Sequence, residues 1–252
     1  MRGGQPPDDA LRASEERRAA SRSHACRYAH ALDQKTHSAG NAIRGYAAEF
    51  GVTAATGMCR IEPLLATIAA DETIPALARE LFALHGQEYA ELKREIERVE
   101  EKLMGWHRSD ECSQRLARIP GVGPIGASLL MMKTPDPRQF KSGRDFAAWM
   151  GLTPKDHSTA GKTRLGGITR AGDELLRSTL VVGATAVIRH VSRAQGRNAS
   201  PWLLGLLERK KPKLVAVALA NKIARIAWKM MVSGEEYRRD MALPASATSV
   251  AA

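Results

Sequence analysis

The sequence predicts a mainly α-helical protein in which a long coiled-coil-like helix leads into a helical C-terminal domain. Only 5% of the 252 residues are aromatic although 44% are hydrophobic. The core must therefore consist mostly of Ala, Leu, Val and Ile, which favours helices over sheets. Apolar residues recur at helical spacing between residues 73 and 104. Two further long apolar segments, residues 175–191 and 213–234, also have the length and composition of buried helices.

The charge of the chain indicates a polyanionic partner. The net charge is +11 and the pI is near 9.9, which favours nucleic acid or an anionic membrane. No run of about 18 apolar residues is present, and the N-terminus lacks the apolar core of a signal peptide. Cys26, Cys59 and Cys112 form no disulfide framework or metal knuckle, so we expect reduced thiols in a cytoplasmic protein. Nucleic acid is the expected partner, and no membrane is.

The N-terminal part of the chain divides into two predicted segments. Residues 1–40 are polar and have no clean apolar period, which predicts a poorly ordered segment or at best a loose helix. Residues 41–108 predict two short helices and then a long one over about 73–104. The apolar seam of that long helix contains Leu77, Leu81, Leu84, Leu92, Ile96, Val99 and Leu103. Its charged outer face is either solvated or part of a helix hairpin or dimerisation arm.

A glycine-rich turn opens the predicted C-terminal domain, residues 109–241. In "RLARIPGVGPIGASLLMMK", Gly121, Val122 and Gly123 join a helix that ends at Ile119 to one that begins near Pro124. Two glycines around one apolar residue allow a tight turn with open backbone N–H groups, which suit a phosphate oxygen. The spacing resembles a helix-hairpin-helix, a DNA-binding element. The alternative is an ordinary structural turn, because such turns often contain glycine.

The most unusual stretch is "HSTAGKTRLGG", residues 157–167, predicted as an irregular loop or a short hairpin. Ser158 and Thr159 are adjacent hydroxyls among small residues. Ser158 is a nucleophile candidate, and the neighbouring candidates for holding the phosphate charge are His157, Lys162, Arg164 and Arg170. On residue types alone, a loop that only contacts phosphate is the stronger interpretation.

The end of the chain predicts helices, a basic loop and a tail. Ser200 and Pro201 are typical of a helix start. Lys210 and Lys211, in "ERKKPK", belong either to a solvated loop or to a patch that contacts the nucleic-acid backbone. Residues 242–252 predict a disordered tail. No spacing of His, Cys or acidic residues indicates a metal site.

Three stretches taken together carry a family resemblance. They are "IPGVGPIGASLL", "FKSGRDFAAWMGLTPKDHSTAGKTRLGGITRAGDELLRSTLVVGATAVIRH" and "ANKIARIAWKMM". In this order and spacing they resemble the C-terminal half of bacterial insertion-sequence transposases of the Piv-like, bridge-RNA-guided group. The resemblance extends over residues 41–234.

The resemblance implies a serine-dependent DNA recombinase. Family members have an N-terminal RuvC-like domain whose four acidic residues hold Mg²⁺, then a coiled coil and a transposase domain whose serine attacks DNA. The serine motif matches "HSTAGK", which places Ser158 in the first hydroxyl position and leaves Thr159 as the alternative. The implied partners are DNA at the element ends and target, a guide RNA, and further copies of the chain.

The resemblance also has a large departure. No part of residues 1–40 resembles an α/β acidic domain, so we expect a truncated or frame-shifted gene. This chain would then bind no cofactor itself, and Mg²⁺ would belong to the missing domain. The alternative function is a catalytically inactive DNA- or RNA-binding remnant that co-assembles with a full-length transposase and inhibits it.

Overall fold

The computed structural model describes residues 7–158, 164–197 and 199–238. These residues form nine α-helices and one two-stranded sheet, which confirms the mainly α-helical prediction. The chain divides into two compact units, residues 1–103 and 104–252. No helix of the described ranges is long and apolar enough to cross a lipid bilayer. The predicted tail, residues 242–252, lies outside them.

The first helix includes residues 7–40, for which the sequence predicts a poorly ordered segment or at best a loose helix. Helix α1 runs over Pro7–Glu49 and includes the short helix predicted from Asn41. Its buried positions include small or polar side chains such as Cys26, Thr36 and Ala47. Because these residues give only a weak hydrophobic pattern, the helical period is not evident in the sequence. The many Ala, Arg and Glu residues nevertheless favour a helix.

The first unit has its own core. Helix α2 (Ile61–Ala70) agrees with the second predicted short helix, and a 3₁₀ turn over Met58–Arg60 precedes it. Helix α3 (Ala76–Ser109) begins directly after Pro75 and belongs to this unit as far as Leu103. The buried cluster joins the three helices and consists of Ile43, Ala47, Ile61, Leu64, Ile68, Ile74, Phe82 and Tyr89.

The first three leucines of the predicted seam of α3 lie off the face that this unit buries, whereas Leu103 at its end is buried. Leu77, Leu81 and Leu84 are 69%, 51% and 59% exposed, while Phe82 and Tyr89 are buried. Phe82 and Tyr89 are one heptad apart, and Leu103 of the predicted seam follows Tyr89 by two heptads and is buried as well, so the seam meets this buried face only further along the helix. The long helix is present as predicted, and the coiled coil stays a prediction because it needs a second helix along the leucines.

Six of the helices and the sheet belong to the second unit. The helices are α4 (Glu111–Ala117), α5 (Pro124–Lys133), α6 (Gly143–Trp149), α7 (Glu174–Arg193), α8 (Pro201–Arg209) and α9 (Pro212–Ser233). Strands β1 (Pro154–Asp156) and β2 (Leu165–Ile168) pair antiparallel between α6 and α7. The described part of the stretch 157–167, residues 157–158 and 164–167, therefore continues or belongs to two paired strands, as in the second of the two predicted possibilities.

Helix α9 is the centre of the second unit. It packs against α4, α6, α7 and α8, and it buries aliphatic side chains such as Leu219, Ile223 and Ile226 along its length. Helix α7 faces it with Leu176, Leu180 and Ile188. Both helices were predicted, because their apolar segments are too long and too continuous for surface helices.

Candidate functional site

Ser158 lies at the open end of the hairpin, which is the end where β1 finishes and β2 begins. Ser158 follows β1 by two residues and is exposed. The backbone N–H of His157 donates to the carbonyl of Arg164 at 2.9 Å, which continues the strand pairing. The backbone N–H of Arg164 donates to Ser158 Oγ at 3.0 Å. The Ser158 hydroxyl is thus held in solvent, with one lone pair already engaged by a backbone donor.

Asp156, which we did not single out from the sequence, is the nearest ionisable partner of Ser158. The backbone N–H of Ser158 donates to Asp156 Oδ1 at 2.8 Å. Hydrogen bonds from the Ser158 hydroxyl and backbone hold the pKa of the Asp156 carboxyl below its ordinary value, despite a small opposing effect of burial. The sequence signal was the Asp-x-Ser spacing of an Asx turn, in which the carboxylate accepts from the second N–H that follows.

The base of the hairpin is clamped by close backbone contacts. Thr169 N–H donates to the carbonyl of Thr153 at 2.9 Å. Gly151 and Gly172 both have positive φ, at 72° and 94°. A Cβ on Gly172 would lie 2.1 Å from the carbonyl oxygen of Trp149, so only glycine allows the chain before α7 to pass this close to the end of α6. These contacts fix the base from which the serine projects.

A salt bridge joins the start of α7, next to the hairpin, to the end of α5. Asp173 caps α7 by accepting from the N–H of Leu176 at 2.8 Å, and it pairs with Lys133 at the end of α5. The Lys133 side chain is 8% exposed and the Asp173 side chain 31%. Burial opposes ionisation of Asp173, but hydrogen bonds from Lys133 and from the α7 backbone outweigh it and lower the pKa of the carboxyl. The start of α7 is therefore tied to α5.

The glycine turn between α4 and α5 packs against α7. A Cβ on Gly183 of α7 would lie 1.9 Å from the carbonyl oxygen of Gly121. Gly121 itself has φ 87°, and Val122 is 2% exposed. This geometry accounts for Gly121 and Val122 by packing alone, as in the structural alternative. Gly183, which the sequence analysis did not single out, is the partner that makes the approach possible.

Gly123 is the part of this turn that faces solvent. It is exposed and precedes α5 as its N-cap, and no side chain accepts from the first N–H groups of that helix. An unoccupied helix N-terminus is compatible with a phosphate contact. The phosphate-binding prediction for Gly121, Val122 and Gly123 therefore stays a prediction.

The predicted basic residues occupy two separate places. His157 and Arg164 lie at the open end of the hairpin, and Arg170 lies at its base in a left-handed conformation with φ 56°. Lys210 and Lys211 instead connect α8 to α9. Asn221 of α9 reaches the hairpin base by donating to the carbonyl of Leu152 at 3.2 Å. Lys211 precedes Asn221 by ten residues, about 15 Å along a helix.

Two predicted residues of the site, Thr159 and Lys162, lie outside the residues that the structure describes. The choice between Ser158 and Thr159 as nucleophile therefore rests on the sequence motif. The hydrogen bonds described above, from the Ser158 N–H to Asp156 and from the Arg164 N–H to Ser158 Oγ, concern Ser158.

The positive charge is concentrated in the unit that contains the hairpin. Residues 1–103 carry 14 Lys and Arg against 16 Asp and Glu, whereas residues 104–252 carry 24 against 11. The whole excess of basic residues therefore lies in the second unit. A polyanion is attracted to this unit, and the first unit has no such attraction by net charge.

Comparison with known families places the hairpin inside a recognised domain. Residues 113–199 match the family described as transposase IS116/IS110/IS902, and this range includes most of α4, all of α5 to α7 and the Ser158 hairpin. This part of the chain is thus similar to the transposase domain of that family. This similarity agrees with the resemblance to insertion-sequence transposases that the sequence motifs indicated.

Several full proteins are also similar to this chain. A Sinorhizobium fredii protein described as "Putative transposase y4pF/y4sB" is 73% identical over 199 residues, which are 79% of this chain and 51% of that protein. A Pseudomonas aeruginosa "Probable family 20 transposase" is 42% identical over 79% of this chain and 59% of its own length. The Yersinia enterocolitica transposase for IS1328 is 39% identical over 83% of this chain and 62% of its own length. The chain thus spans about half to three fifths of these relatives.

Among the residues that the structure describes, no side chains are grouped to hold Mg²⁺, which the resemblance assigns to a different domain of the family. Within the described ranges of the chain, no group of three or more His, Cys, Asp or Glu side chains converges as metal ligands do. Asp156 and Asp173 are each engaged by donors of this chain. We therefore derive no chemical step of this domain through a metal ion.

Proposed function

We propose that this chain binds DNA and cleaves and rejoins DNA strands during transposition of an insertion sequence, with Ser158 as the nucleophile. The observation that carries the proposal is the placement of Ser158. It lies inside the matched transposase domain, exposed, at the end of a hairpin whose base is fixed by backbone contacts. A nucleophile needs this combination of access and fixed position.

The proposed reaction exchanges one phosphoester for another. Ser158 Oγ attacks the phosphorus of a DNA phosphodiester, a new O–P bond forms, and the bond from phosphorus to one deoxyribose oxygen breaks. The phosphate remains joined to the serine until a deoxyribose hydroxyl displaces it. Because the broken phosphoester is replaced by another of similar energy, rejoining needs no external energy source.

The surroundings of Ser158 suit a phosphate backbone. Gly166 and Gly167 are exposed on β2 and leave room for DNA to approach. Arg164 and Arg170 bring fixed positive charge to the two ends of the hairpin, and such charge stabilises the phosphorane-like transition state. The basic excess of the second unit supplies the attraction that is independent of DNA sequence.

The remaining partners belong to the same proposal. Guide RNA and Mg²⁺ are implied by the resemblance of the whole transposase, so both are included in the assay. A homo-oligomer is supported by the exposed Leu77, Leu81 and Leu84 on α3, since a second copy would remove them from water. Sedimentation of the purified chain tests this, and a single-copy mass at high concentration contradicts it.

Covalent capture tests the proposed nucleophile. The purified chain is mixed with labelled element-end DNA, the cognate RNA and Mg²⁺, denatured, and examined for a protein–DNA adduct whose attachment site is mapped by mass spectrometry. We expect an adduct on Ser158 that disappears in Ser158→Ala and persists in Ser178→Ala, which removes an exposed hydroxyl from α7. Thr159→Ala separates the two neighbouring hydroxyls. DNA binding without an adduct would support the alternative of a binding remnant.

A further inference from the structure

We propose that Trp202 and Lys222 bind an unpaired nucleotide, with its base stacked on the Trp202 indole and its phosphate held by Lys222. The inference rests on the proposed function, in which the chain binds DNA, and adds a place where a single strand is held. It comes from the contact between α8 and α9, outside the Ser158 hairpin. Both residues also lie outside the range 113–199 that matches the transposase family.

An exposed aromatic ring and a cation meet at this contact. Trp202 lies in the first turn of α8, and Lys222 Nζ of α9 lies 4.2 Å from the centroid of its ring, which is a cation–π distance. Trp202 remains 38% exposed although the ammonium lies over its ring. An aromatic surface is therefore left in water beside a positive charge. This pair of groups matches a nucleotide, which has a flat base that stacks and an anionic phosphate.

The positive charge beside the ring is not neutralised by an ion pair. Arg225 follows Lys222 by three residues on α9, so the two side chains are neighbours on the helix surface. Among the residues that the structure describes, neither cation forms an ion pair with a carboxylate. Both side chains are partly buried, and burial together with the charge of Arg225 lowers the pKa of Lys222. A phosphate would supply the missing negative charge.

The surrounding sequence is almost free of acidic residues. Between residues 175 and 234 the chain has 11 Lys and Arg but a single acidic residue, Glu208. Helices α8 and α9 therefore belong to a strongly basic part of the second unit, which attracts a polyanion at long range. Trp202 adds a preference to this attraction. Its ring can stack on the face of an unpaired base, whereas both faces of a base inside a duplex are already stacked.

The site is connected to the base of the Ser158 hairpin. Asn221 directly precedes Lys222 and donates to the carbonyl of Leu152 at 3.2 Å. Leu152 comes six residues before Ser158, which corresponds to at most about 20 Å of extended chain. A strand that is attacked at Ser158 therefore needs only a few further nucleotides to reach Trp202. The site would hold such a strand while its phosphate reacts.

Binding of single strands and duplexes tests the site. Fluorescence anisotropy measures the affinity of the full chain for labelled oligothymidylate and oligouridylate of about 12 nucleotides and for a DNA duplex of the same length. Trp202→Leu, which keeps an apolar side chain, should weaken single-strand binding at least fivefold and leave duplex binding within twofold of the wild type. Trp202→Phe should restore part of the loss because it keeps a ring. Leu214→Ala, which shortens an exposed apolar side chain of α9, is the control and should bind as the wild type does.

Lys222→Gln tests the phosphate contact. This variant should also weaken single-strand binding, and it should reduce the logarithmic salt slope by about 0.7, the value for one phosphate contact on a single strand. Tryptophan emission adds a measurement that a purely structural pair would not change. A stacked base quenches the indole, so a saturating single strand should quench the wild type more than Trp202→Phe. The wild-type titration does not depend on how well a variant folds.

Two results would overturn the inference. Equal losses of single-strand and duplex binding in Trp202→Leu would show that the ring only supports a basic surface. Unchanged wild-type emission at saturation would show that no base stacks on Trp202. A loss on either single strand supports the inference, and the strand with the larger loss identifies DNA or RNA as the source of the nucleotide.

The inference and the proposed function fail separately. Formation of the Ser158 adduct without quenching of Trp202 would leave the nucleophile in place and remove only the nucleotide site. Quenching of Trp202 without an adduct would support the nucleotide site and contradict the nucleophile. A wild-type chain that binds none of the oligonucleotides would contradict both.

Discussion

The contact between Gly183 and Gly121 predicts that replacing Gly183 by alanine destabilises the protein, whereas the same substitution inside most helices stabilises it. Gly183 lies inside α7, where replacing glycine by alanine normally stabilises a helix by about 0.5–1 kcal/mol. Here the new Cβ would lie 1.9 Å from the carbonyl oxygen of Gly121. Real Cβ contacts are essentially never shorter than 3.0 Å, so the turn must withdraw by about 1 Å.

The turn has little room to withdraw because it is buried on its other side. Val122 is 2% exposed, and Ala127 and Leu130 of α5 are fully buried. Forcing such a packed element to shift costs about 1–3 kcal/mol or more, which exceeds the helix-propensity gain. Gly183→Ala should therefore destabilise the second unit by a net amount of about 1–2 kcal/mol, and the melting temperature should fall by several degrees.

Gly205→Ala is the matched control. Gly205 lies inside α8, and a Cβ there would meet no atom within 4 Å. This variant should keep or raise stability by up to about 1 kcal/mol. Urea and thermal unfolding, followed by circular dichroism on both variants, measure the difference. If Gly183→Ala were as stable as Gly205→Ala, the close approach of the turn to α7 would be refuted.

Two further predictions concern the second unit. Asp173→Asn should lower the melting temperature at neutral pH. The pKa of Asp173 is lowered in the folded protein, so its charged form stabilises the fold above the ordinary carboxyl range. This stabilisation is lost as the pH falls through the folded-state pKa. The gap between variant and wild type should narrow as the pH falls below the ordinary carboxyl range, and a gap that did not change with pH would contradict the ionic origin. Lys210→Ala and Lys211→Ala should each reduce the salt dependence of DNA binding by about one unit in the logarithmic slope, as measured by fluorescence anisotropy across salt concentrations. Lys102→Ala, an exposed residue in the first unit, is the control, and an equal effect there would argue against the second unit as the DNA-binding surface.

The helices of the second unit were predictable because each carries a local signal. Ser200 followed by Pro201 indicated the start of α8, and Ser200 does accept from the N–H of Leu203 there. The apolar segments of α7 and α9 indicated buried helices, and both are central in the packing. The greater part of α1 was missed, since its buried side is built partly from small and polar residues such as Cys26 and Thr36.

The site was only partly predictable for a related reason. Residue types indicated exposed hydroxyls beside positive charge, and Ser158 and Arg164 are joined by a hydrogen bond. Asp156 gave only a short Asp-x-Ser spacing, which occurs in many turns that have no function. The leucine pattern of α3 predicted a helix but not which residues of its first half are buried, since Phe82 and Tyr89 are buried there while Leu77, Leu81 and Leu84 are exposed.

By itself, the sequence determined the helical class, the family motifs, the basic character and the hydroxyl pair, because these depend on composition and on neighbours along the chain. The tertiary structure decided which glycines are required and what each side chain contacts. Gly121 and Gly183 are 62 positions apart in the chain, yet their backbones are in contact. Gly172 likewise lies against the carbonyl oxygen of Trp149. Such distances depend on how α6, α7 and the α4–α5 turn pack together. The order of residues along the chain does not show which backbone atoms will lie within about 1 Å of a steric clash.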